Sequence, residues 1–351
     1  MKLPIFVLSI IGLVIVTSLL PNLFWLQITY FGLGWLIFVI FSRIDYRIFE
    51  KLAWIIYIVC LLFLITPYIF GTLTRGALRW LEFGPFRLQP SEIIKPFLIV
   101  FFAFYLSAEE RPKMKKILGS LLFLGTPLIL VFIQPDLGSS ILIFLAWLGI
   151  LFGSGINLGI IMAGAAGSLV SLPLVWKFFL KDYQRQRIFS FIKPLSDPLG
   201  SGYHLIQARV AVGAGQLFGR GLGQGTQSHL RFLPERQTDF IFASLAEDLG
   251  FLGVSLLIFT YGFLLFRILK TSQLTKNRFG ALICLGVFNL LFFQVFINLG
   301  MCLGLMPITG VTLPLVSYGG SSFLSTMTAL GIVANIAGLK KEREKDIISI
   351  H

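Results

Sequence analysis

The sequence predicts an all-α polytopic integral membrane protein, with about ten transmembrane helices and one large extracellular loop between spans 7 and 8. Hydrophobic residues make up 56% of the chain and charged residues only 13%, whereas a soluble domain carries about a quarter charged residues. The apolar runs are roughly 17–25 residues long, which suits membrane helices and is longer than the strands of a membrane barrel. We expect residues 1–351 to form a single membrane domain.

Each apolar run is a candidate span. The first follows only Met1 and Lys2, lacks a small-residue cleavage site and leads straight into the second run. We therefore interpret it as a retained span rather than a removed signal peptide. The predicted spans are residues 4–20, 22–42, 52–71, 91–107, 117–134, 138–154, 157–178, 240–267, 280–300 and 315–338.

Lysine and arginine are concentrated in alternate loops, and this sets the orientation because cytoplasmic loops carry an excess of both residues. The short loops on the opposite side hold only Arg75, Arg79 and Arg87. The pattern places both termini in the cytoplasm, the long loop 179–239 outside, and the tail 339–351 as a solvated cytoplasmic end. The basic residues on the cytoplasmic side are Arg43, Arg47, Lys51, Arg111, Lys113, Lys115, Lys116, Arg267, Lys270, Lys276, Arg278, Lys340, Lys341, Arg343 and Lys345.

The positions of the charged and sulfur-containing residues exclude several functional classes. The net charge of +13 does not indicate nucleic-acid binding, because most Lys and Arg lie in short loops between spans. Cys60, Cys284 and Cys302 are scattered through apolar segments without paired spacing. They predict neither a disulfide framework nor a zinc site, and the three isolated His do not predict a metal site either.

The turn Arg231–Phe240 (RFLPERQTDF) ends the long polar loop, and the chain becomes hydrophobic directly after it. Asp239 therefore lies at the mouth of a span, where a carboxylate costs far less than at mid-bilayer and where partial desolvation adjusts its pKa. Such a carboxylate suits a base that reaches a substrate held in lipid. A second interpretation stays open, because Thr238 or Asp239 equally fits the N-cap of the helix that follows.

Ionisable residues also mark the outer ends of spans 4 and 6. Glu92 and Lys95 are three residues apart and share one face of span 4, while Asp136 lies in the tight turn Gln134–Gly138. The pair is either a neutralised buried ion pair or one wall of a polar cavity, and we favour the cavity because ionisable groups in spans usually line a pathway. Asp136 is either a turn residue or part of the same wall.

The long outer loop is basic and, between residues 213 and 225, rich in glycine. Because glycine lets backbone N–H groups approach a ligand, such a surface suits phosphate, although the GK[ST] ending of a Walker loop is missing. Attraction to anionic lipid headgroups explains the charge equally well. The basic residues are Lys181, Arg185, Arg187, Lys193, Arg209, Arg220, Arg231 and Arg236.

Span 8 carries two adjacent acids, Glu247 and Asp248, about two turns beyond Asp239. Neighbouring residues on a helix point in different directions, so we expect at least one of these acids to point into the protein, toward Lys95.

Spans 9 and 10 carry uncharged polar residues. Gln294 and Asn298 are four residues apart and predict a polar stripe that joins helices. Ser317 and Tyr318 begin span 10 among small residues, and we expect their hydroxyl groups to line the same outer cavity.

These segments together resemble the SEDS family (shape, elongation, division and sporulation), the polytopic peptidoglycan glycosyltransferases of bacteria. The resemblance follows the family's order along nearly the whole chain, and Ala246–Gly250 (AEDLG) is more similar to the RodA elongation branch than to the FtsW division branch. The matching segments are Gly76–Lys95 (GALRWLEFGPFRLQPSEIIK), Gln134–Gly138 (QPDLG), Gln207–Gly225 (QARVAVGAGQLFGRGLGQG), Phe232–Gly250 (FLPERQTDFIFASLAEDLG) and Leu305–Ser322 (LGLMPITGVTLPLVSYGGSS).

The resemblance implies a processive polymerase of lipid II at the outer face of a bacterial cytoplasmic membrane. The essential acid of the family matches Asp239. Gln237 replaces the His that the family usually has two residues earlier, and this removes any electrostatic tuning by that His. Asp248 replaces the usual Glu. The family works with a class B penicillin-binding protein, so we expect that transpeptidase as a partner, together with lipid II and membrane lipids.

The implied reaction joins the GlcNAc 4-hydroxyl of one lipid-linked disaccharide to the anomeric carbon of the growing chain, and undecaprenyl pyrophosphate leaves. This chemistry needs a base and a positive charge near the leaving group. We assign Asp239 as the base, with its pKa raised by desolvation above about 3.9, and Arg209 and Arg220 as the pyrophosphate contacts. A divalent cation, Mg²⁺ or Mn²⁺, bridging Asp239 and the pyrophosphate also suits the site.

Three alternatives remain open. A lipid II flippase would also use intramembrane charges such as Glu92, Lys95, Glu247 and Asp248, but it needs polar groups through the full bilayer depth, and here they crowd the outer half. A scaffold that activates a partner is the second alternative, and no partner motif is visible in the sequence. A polymerase of the division branch is the third.

Overall fold

The computed structural model describes residues 1–74, 77–84, 86–109, 112–179, 181–194, 197 and 200–348. Arg75 and Arg111, two basic residues of the predicted orientation pattern, lie outside the described residues, as do residues 349–351 of the predicted tail.

The apolar runs form helices, because a backbone in lipid must satisfy its N–H and C=O groups internally. In chain order the helices are α1 (Lys2–Leu19), α2 (Phe24–Arg43), α3 (Arg47–Lys51), α4 (Ala53–Phe70), α5 (Pro90–Ile93), α6 (Lys95–Ser107), α7 (Met114–Ile133), α8 (Leu137–Gly153), α9 (Leu158–Leu174), α10 (Asp182–Ile192), α11 (Ser201–Ala214), α12 (Thr226–His229), α13 (Ile241–Leu274), α14 (Arg278–Leu303) and α15 (Gly320–Ile348). A 3₁₀ turn at Pro21–Leu23 precedes α2, and a π-helical turn at Val175–Phe179 follows α9.

The predicted all-α membrane class is confirmed. Seven helices of the described chain are long and apolar enough to cross a membrane, with α6 and α8 as shorter apolar helices. Each predicted span overlaps one of these helices or α9. The last span differs most, because it begins at Gly320 rather than at residue 315 and ends at Ile348 rather than at 338. The predicted tail therefore continues the last helix over residues 339–348.

The sequence reasoning missed a three-stranded antiparallel sheet in the loop that follows α4. Strand β2 (Ala77–Phe83) lies between β1 (Thr72–Thr74) and β3 (Phe86–Leu88). Strands β2 and β3 form a hairpin in which Leu81 is opposite Leu88. Its turn contains Gly84 with φ +59, a conformation that glycine adopts without steric cost.

The sheet marks one end of the helical bundle, which we call the sheet end. Its backbone is tied to the start of α15 by the Gln89 N–H, which donates to the Ser321 hydroxyl at 2.8 Å. The Gln89 side chain donates to Asp136 at the start of α8, also at this end. The predicted outer loop 179–239 lies here too, and it is largely folded, since α10, α11 and α12 belong to it.

Helix α14 is central and packs against α6, α8, α11, α13 and α15. Glycines permit two of its close contacts. A Cβ atom at Gly149 of α8 would overlap the Asn289 side chain of α14, and one at Gly286 of α14 would lie 2.7 Å from Ile99. The buried apolar side chains around α14 form a continuous core, and this core holds the polar residues of the sheet end in place.

Candidate active site at the sheet end

Asp239 is half-buried in the turn that leads into α13. The N-cap position of α13 is occupied by Phe240, without a side-chain hydrogen bond. The Thr238 hydroxyl instead points back to Glu235, with its oxygen 3.3 Å from the carbonyl and 3.1 Å from the carboxylate. The structure therefore places Phe240, rather than Thr238 or Asp239, at the N-cap position of α13.

The backbone of this turn is held by groups from outside it. The Tyr318 N–H donates to the carbonyl of Gln237 at 2.8 Å, the Ser317 hydroxyl to that of Thr238 at 2.6 Å, and the Asn298 amide to that of Asp239 at 2.8 Å. Three consecutive carbonyls are thus bonded to the segment before α15 and to α14. The turn is a fixed part of the structure rather than a loose loop end.

Two sequence-based expectations change here. Asn298 was expected to join helices, but its amide donates to the Asp239 carbonyl and to the Val311 carbonyl. Gln294 likewise donates to the Thr312 carbonyl at 3.1 Å. Both side chains therefore donate to backbone carbonyl groups that lie outside helices. Such carbonyl groups have no partner within a helix and need another hydrogen-bond donor when they are buried.

The predicted cavity wall forms one hydrogen-bonded cluster. Lys95, whose side chain is 2% exposed, pairs with Glu92. The Ser139 hydroxyl donates to Glu92 at 3.2 Å, and the Ser139 N–H donates to Asp136 at 3.1 Å. Asp136 is thus the N-cap of α8, so its turn role is real, and Ser139 links it to the Glu92–Lys95 pair. We call Glu92, Lys95, Asp136 and Ser139 the polar cluster.

The polar cluster and Asp239 flank the same short segment, residues 309–311. A Cβ atom at Gly138, next to Asp136 and Ser139, would lie 3.0 Å from the Thr309 carbonyl oxygen. On the other side, a Cβ atom at Gly310 would lie 3.5 Å from the Asp239 carboxylate. The structure therefore brings Glu92, Lys95, Asp136 and Asp239 to one region of the sheet end.

The two predicted pyrophosphate contacts lie in different surroundings. Arg209 of α11 donates to the Gly304 carbonyl at 2.7 Å, at the C-terminal end of α14. Arg187 of α10 donates to the Ile308 carbonyl at 3.2 Å, so both residues contact the segment that leads to Gly310. Arg220 instead contacts Thr226 at 3.0 Å, beside α12. Arg187, which the sequence analysis did not single out, thus joins Arg209 near the site.

The acids of span 8 do not point toward Lys95, which corrects that expectation. Glu247 is fully buried and accepts hydrogen bonds from the Gln227 N–H at 2.8 Å and from the Ser228 N–H and hydroxyl at 2.8 and 2.6 Å. The Asp248 carboxylate lies 3.2 Å from the His229 ring nitrogen. Both acids therefore bind the four-residue helix α12, since the long loop 179–239 folds back onto α13.

The glycine-rich stretch explains how the loop comes so close. Helix α13 is kinked at Gly250, which has φ +64. The Arg220 N–H donates to the Glu247 carbonyl at 2.9 Å, and the Phe251 N–H donates to the Gln216 carbonyl at 2.9 Å. A Cβ atom at Gly219, with φ +82, would overlap the carbonyl of Asp248. These glycines therefore serve backbone packing at the kink, rather than the phosphate cradle that the sequence suggested.

Tyr318 lies beside this region with its ring half-buried. Burial raises the pKa of the Tyr318 phenol, the neighbouring Tyr30 raises it further, and Arg87 opposes the shift. Tyr318 is therefore a neutral hydrogen-bonding group at physiological pH, as a cavity-lining hydroxyl requires. Ser317 differs, since its hydroxyl donates to Thr238 and accepts from the Leu313 N–H at 2.8 Å.

The donor set suits a cation that a substrate helps to bind. The described residues contain no group of three or more His, Cys, Asp or Glu that could hold a metal ion. Mg²⁺ commonly binds through one or two carboxylates together with substrate phosphates, and needs no all-protein cage. Asp239 fits that role as one carboxylate ligand to a phosphate-bound cation.

Fold and site together define a polytopic membrane protein with a fixed carboxylate turn beside a buried polar cluster. The chain belongs to the FtsW, RodA and SpoVE family, described as cell cycle proteins, whose sequence profile matches residues 2–342. The expected SEDS family is thereby confirmed.

Similar proteins of known name cover most of the chain. The peptidoglycan glycosyltransferase MrdB of Escherichia coli K12 is 43% identical over 319 residues, covering 90% of this chain and 86% of that protein. Stage V sporulation protein E of Bacillus subtilis is 35% identical, over 89% of this chain and 86% of its own length.

Solved structures agree with the fold. The structure entitled "Structural coordination of polymerization and crosslinking by a peptidoglycan synthase complex" matches with a TM-score of 0.83 and 29% identity, over 97% of both chains. The rod shape determining protein RodA of Thermus thermophilus matches with a TM-score of 0.71 and 29% identity, over 95% of this chain and 94% of that one.

Proposed function

We propose that this protein is a peptidoglycan glycosyltransferase that polymerises lipid II into glycan strands during cell elongation and rod-shape maintenance. The observation that carries the proposal is the fixed Asp239 turn beside the polar cluster. Family membership and the name of the 43% identical relative support it. The relatives named FtsW are 34–38% identical, which favours the elongation role over the division role.

In the proposed step Asp239 takes the proton of the GlcNAc 4-hydroxyl. The hydroxyl oxygen bonds to the anomeric carbon of the growing chain, the bond from that carbon to the pyrophosphate oxygen breaks, and the configuration inverts. Undecaprenyl pyrophosphate leaves with the electron pair. A positioned base contributes about 10²–10⁴-fold to such a reaction.

The remaining residues bind the substrate in this proposal. Arg209, with Arg187 on the same segment, offers positive charge for the pyrophosphate. Glu92 and Tyr318 contact the sugars, and the buried Lys95 and Asp136 form the wall that holds Glu92 in place. Arg220 lies with α12, so we assign it a weaker contact at the edge of the site. A Mg²⁺ or Mn²⁺ ion held by Asp239 would neutralise the leaving group when bound.

The proposed place of work is the outer face of the bacterial cytoplasmic membrane, with the sheet end outside and both termini in the cytoplasm. We also propose a class B penicillin-binding protein as the partner. A solved structure with the same fold comes from a peptidoglycan synthase complex that coordinates polymerization and crosslinking. This supports a crosslinking enzyme as the partner.

A lipid II flippase is the competing function, and the distribution of buried charge argues against it. The buried charged side chains of the described chain are Lys95, Asp136, Arg236, Glu247 and Asp248. All belong to the sheet end or to the first turns of helices that begin there. A transporter needs polar groups through the full depth of the membrane.

The test is incubation of the purified protein with labelled lipid II, with Mg²⁺, Mn²⁺ or a chelator, read by product length. We expect glycan strands from the wild type and none from Asp239→Asn. Asp182→Asn is the matched control, because that carboxylate is fully exposed on α10. Polymer made by Asp239→Asn would remove the assignment, and movement of lipid II across vesicles without polymer would favour the flippase.

A further inference from the structure

Every carbonyl of the turn from Glu235 to Asp239 accepts a hydrogen bond. Besides the three bonds from outside, the Thr238 N–H donates to the Glu235 carbonyl at 3.1 Å. The Ser244 hydroxyl donates to the Arg236 carbonyl at 3.3 Å. No peptide of this turn can rotate without breaking a bond, and this restricts where the Asp239 side chain can point.

The turn and its partner segment both contain strained backbone. Glu235 has φ +48 and Leu315 has φ +67, and a left-handed conformation costs a non-glycine residue roughly 1–2 kcal/mol. Such residues persist where the surrounding structure holds them, and they cluster at functional sites. The two strained residues lie on the two segments that meet at Gln237, Thr238 and Asp239.

The partner segment is itself anchored in the membrane helices. Gln294 of α14 donates to the Thr312 carbonyl at 3.1 Å, and the Tyr261 hydroxyl of α13 donates to the Pro314 carbonyl. The bonds therefore lead from two membrane helices, through residues 311–318, to the backbone of Asp239.

We propose that Asn298 and Ser317 are positioning residues that fix the Asp239 backbone and so aim its carboxylate at the reacting hydroxyl. This inference rests on the proposed function. Asn298 donates both hydrogens of its amide to carbonyl groups, and Ser317 both donates and accepts. Neither side chain keeps a donor for a sugar, so Ser317 acts through Asp239 rather than as the substrate contact that the sequence suggested.

The test compares Asn298→Ala and Ser317→Ala with wild type in lipid II polymerisation. We expect kcat to fall about 10–100-fold, because a small misplacement of a reacting group costs this much. KM should stay within about twofold, since the substrate contacts remain. Ser317→Thr keeps the hydroxyl and should restore most of kcat.

Matched controls use the same residue types away from the turn. Asn289 of α14 donates to the Leu285 carbonyl of its own helix at 2.9 Å, and buried Ser120 of α7 donates to Ile117 at 2.8 Å. Asn289→Ala and Ser120→Ala should keep the wild-type kcat. Ser317→Ala removes one oxygen atom, so it keeps the inference testable even if Asn298→Ala does not fold.

A double variant separates positioning from a general structural role. In an Asp239→Glu background, which keeps a carboxylate but displaces it by one methylene group, adding Asn298→Ala should lower kcat by much less than it does in the wild type. A rise in KM with kcat unchanged, or no change in either constant, would overturn the positioning role and leave the proposed function standing. An active Asp239→Asn variant would instead overturn the base assignment itself.

Discussion

Ser228 donates both its hydroxyl and its N–H to the carboxylate of Glu247, at 2.6 and 2.8 Å. Glu247 lies on a membrane helix and Ser228 in the long loop that precedes it, yet both side chains are fully buried. The carboxylate sits at the start of α12, where unbonded N–H groups favour a negative charge. A membrane helix thereby anchors an outer segment through one acid.

Glu247→Ala should lower stability strongly, because it leaves two N–H groups and one hydroxyl buried without an acceptor. A buried donor left without an acceptor costs about 1–3 kcal/mol, so we expect the three donors together to cost at least about 3 kcal/mol. The measurement is the melting temperature of the purified protein in detergent. The control is Glu109→Gln, whose side chain is 42% exposed and which should change little. An unchanged melting temperature for Glu247→Ala would contradict the buried role.

Gly219→Ala should destabilise the protein, because its Cβ would overlap the Asp248 carbonyl and its φ is +82. Gly262→Ala is the matched control on α13, since no atom lies within 4 Å of a Cβ built there. Alanine in an open helical position is favoured over glycine by up to about 1 kcal/mol. Melting temperatures should therefore move in opposite directions, and equal shifts would refute the close backbone contact.

Lys95→Met should destabilise the protein more than removal of the whole ion pair. The single change leaves Glu92 largely buried without its partner, and breaking a buried pair costs about 3–5 kcal/mol. The double variant Glu92→Gln with Lys95→Met removes both charges and should recover part of that loss. A double-mutant cycle of thermal stability checks this, and simple additivity of the two single changes would speak against the pair.

His204 should make the protein less stable in mild acid. Burial lowers the pKa of this His below its ordinary 6.5, Glu235 and Asp197 oppose the shift, and Arg187 adds to it. The unfolded chain therefore binds a proton before the folded one does, so stability is complete above about pH 6.5 and falls as the pH drops below it.

The pH effect is measured with His204→Phe. The His204 ring stacks on the Phe240 ring with 6.3 Å between the ring centroids, and the variant keeps an aromatic ring at that position. Between roughly pH 7.5 and pH 5, the melting temperature of the wild type should fall further than that of this variant, because the variant has no titrating group at position 204. Equal losses in both proteins would show that His204 does not govern the response.

Local sequence features predicted part of this structure well. The length of the apolar runs predicted the membrane helices, since each run satisfies its own backbone. The spacing of Glu92 and Lys95 predicted their pairing, because residues three apart are neighbours on a helix. The Pro and Gly around Asp136 predicted its turn.

Features that depend on distant partners were not predictable in this way. At least one of Glu247 and Asp248 was expected to face Lys95, but the partners of both acids come from a loop whose path cannot be read from sequence periodicity. The glycines near Gly219 suggested a phosphate cradle, because the composition of a close backbone contact and that of an anion site look alike. The hydrogen bonds from Asn298 to the Asp239 carbonyl and from Ser317 to the Thr238 carbonyl join segments some sixty to eighty positions apart.

The kink at Gly250 has a consequence for engineering. A helix broken inside a membrane exposes polar backbone that lipid cannot solvate, and here residues 216–221 supply the missing bonds from another part of the chain. Residues 216–221 thus stabilise the broken membrane helix through backbone hydrogen bonds. Loop exchange between relatives should succeed only when residues 215–252, which include both the supporting segment and the broken part of the helix, are transplanted together.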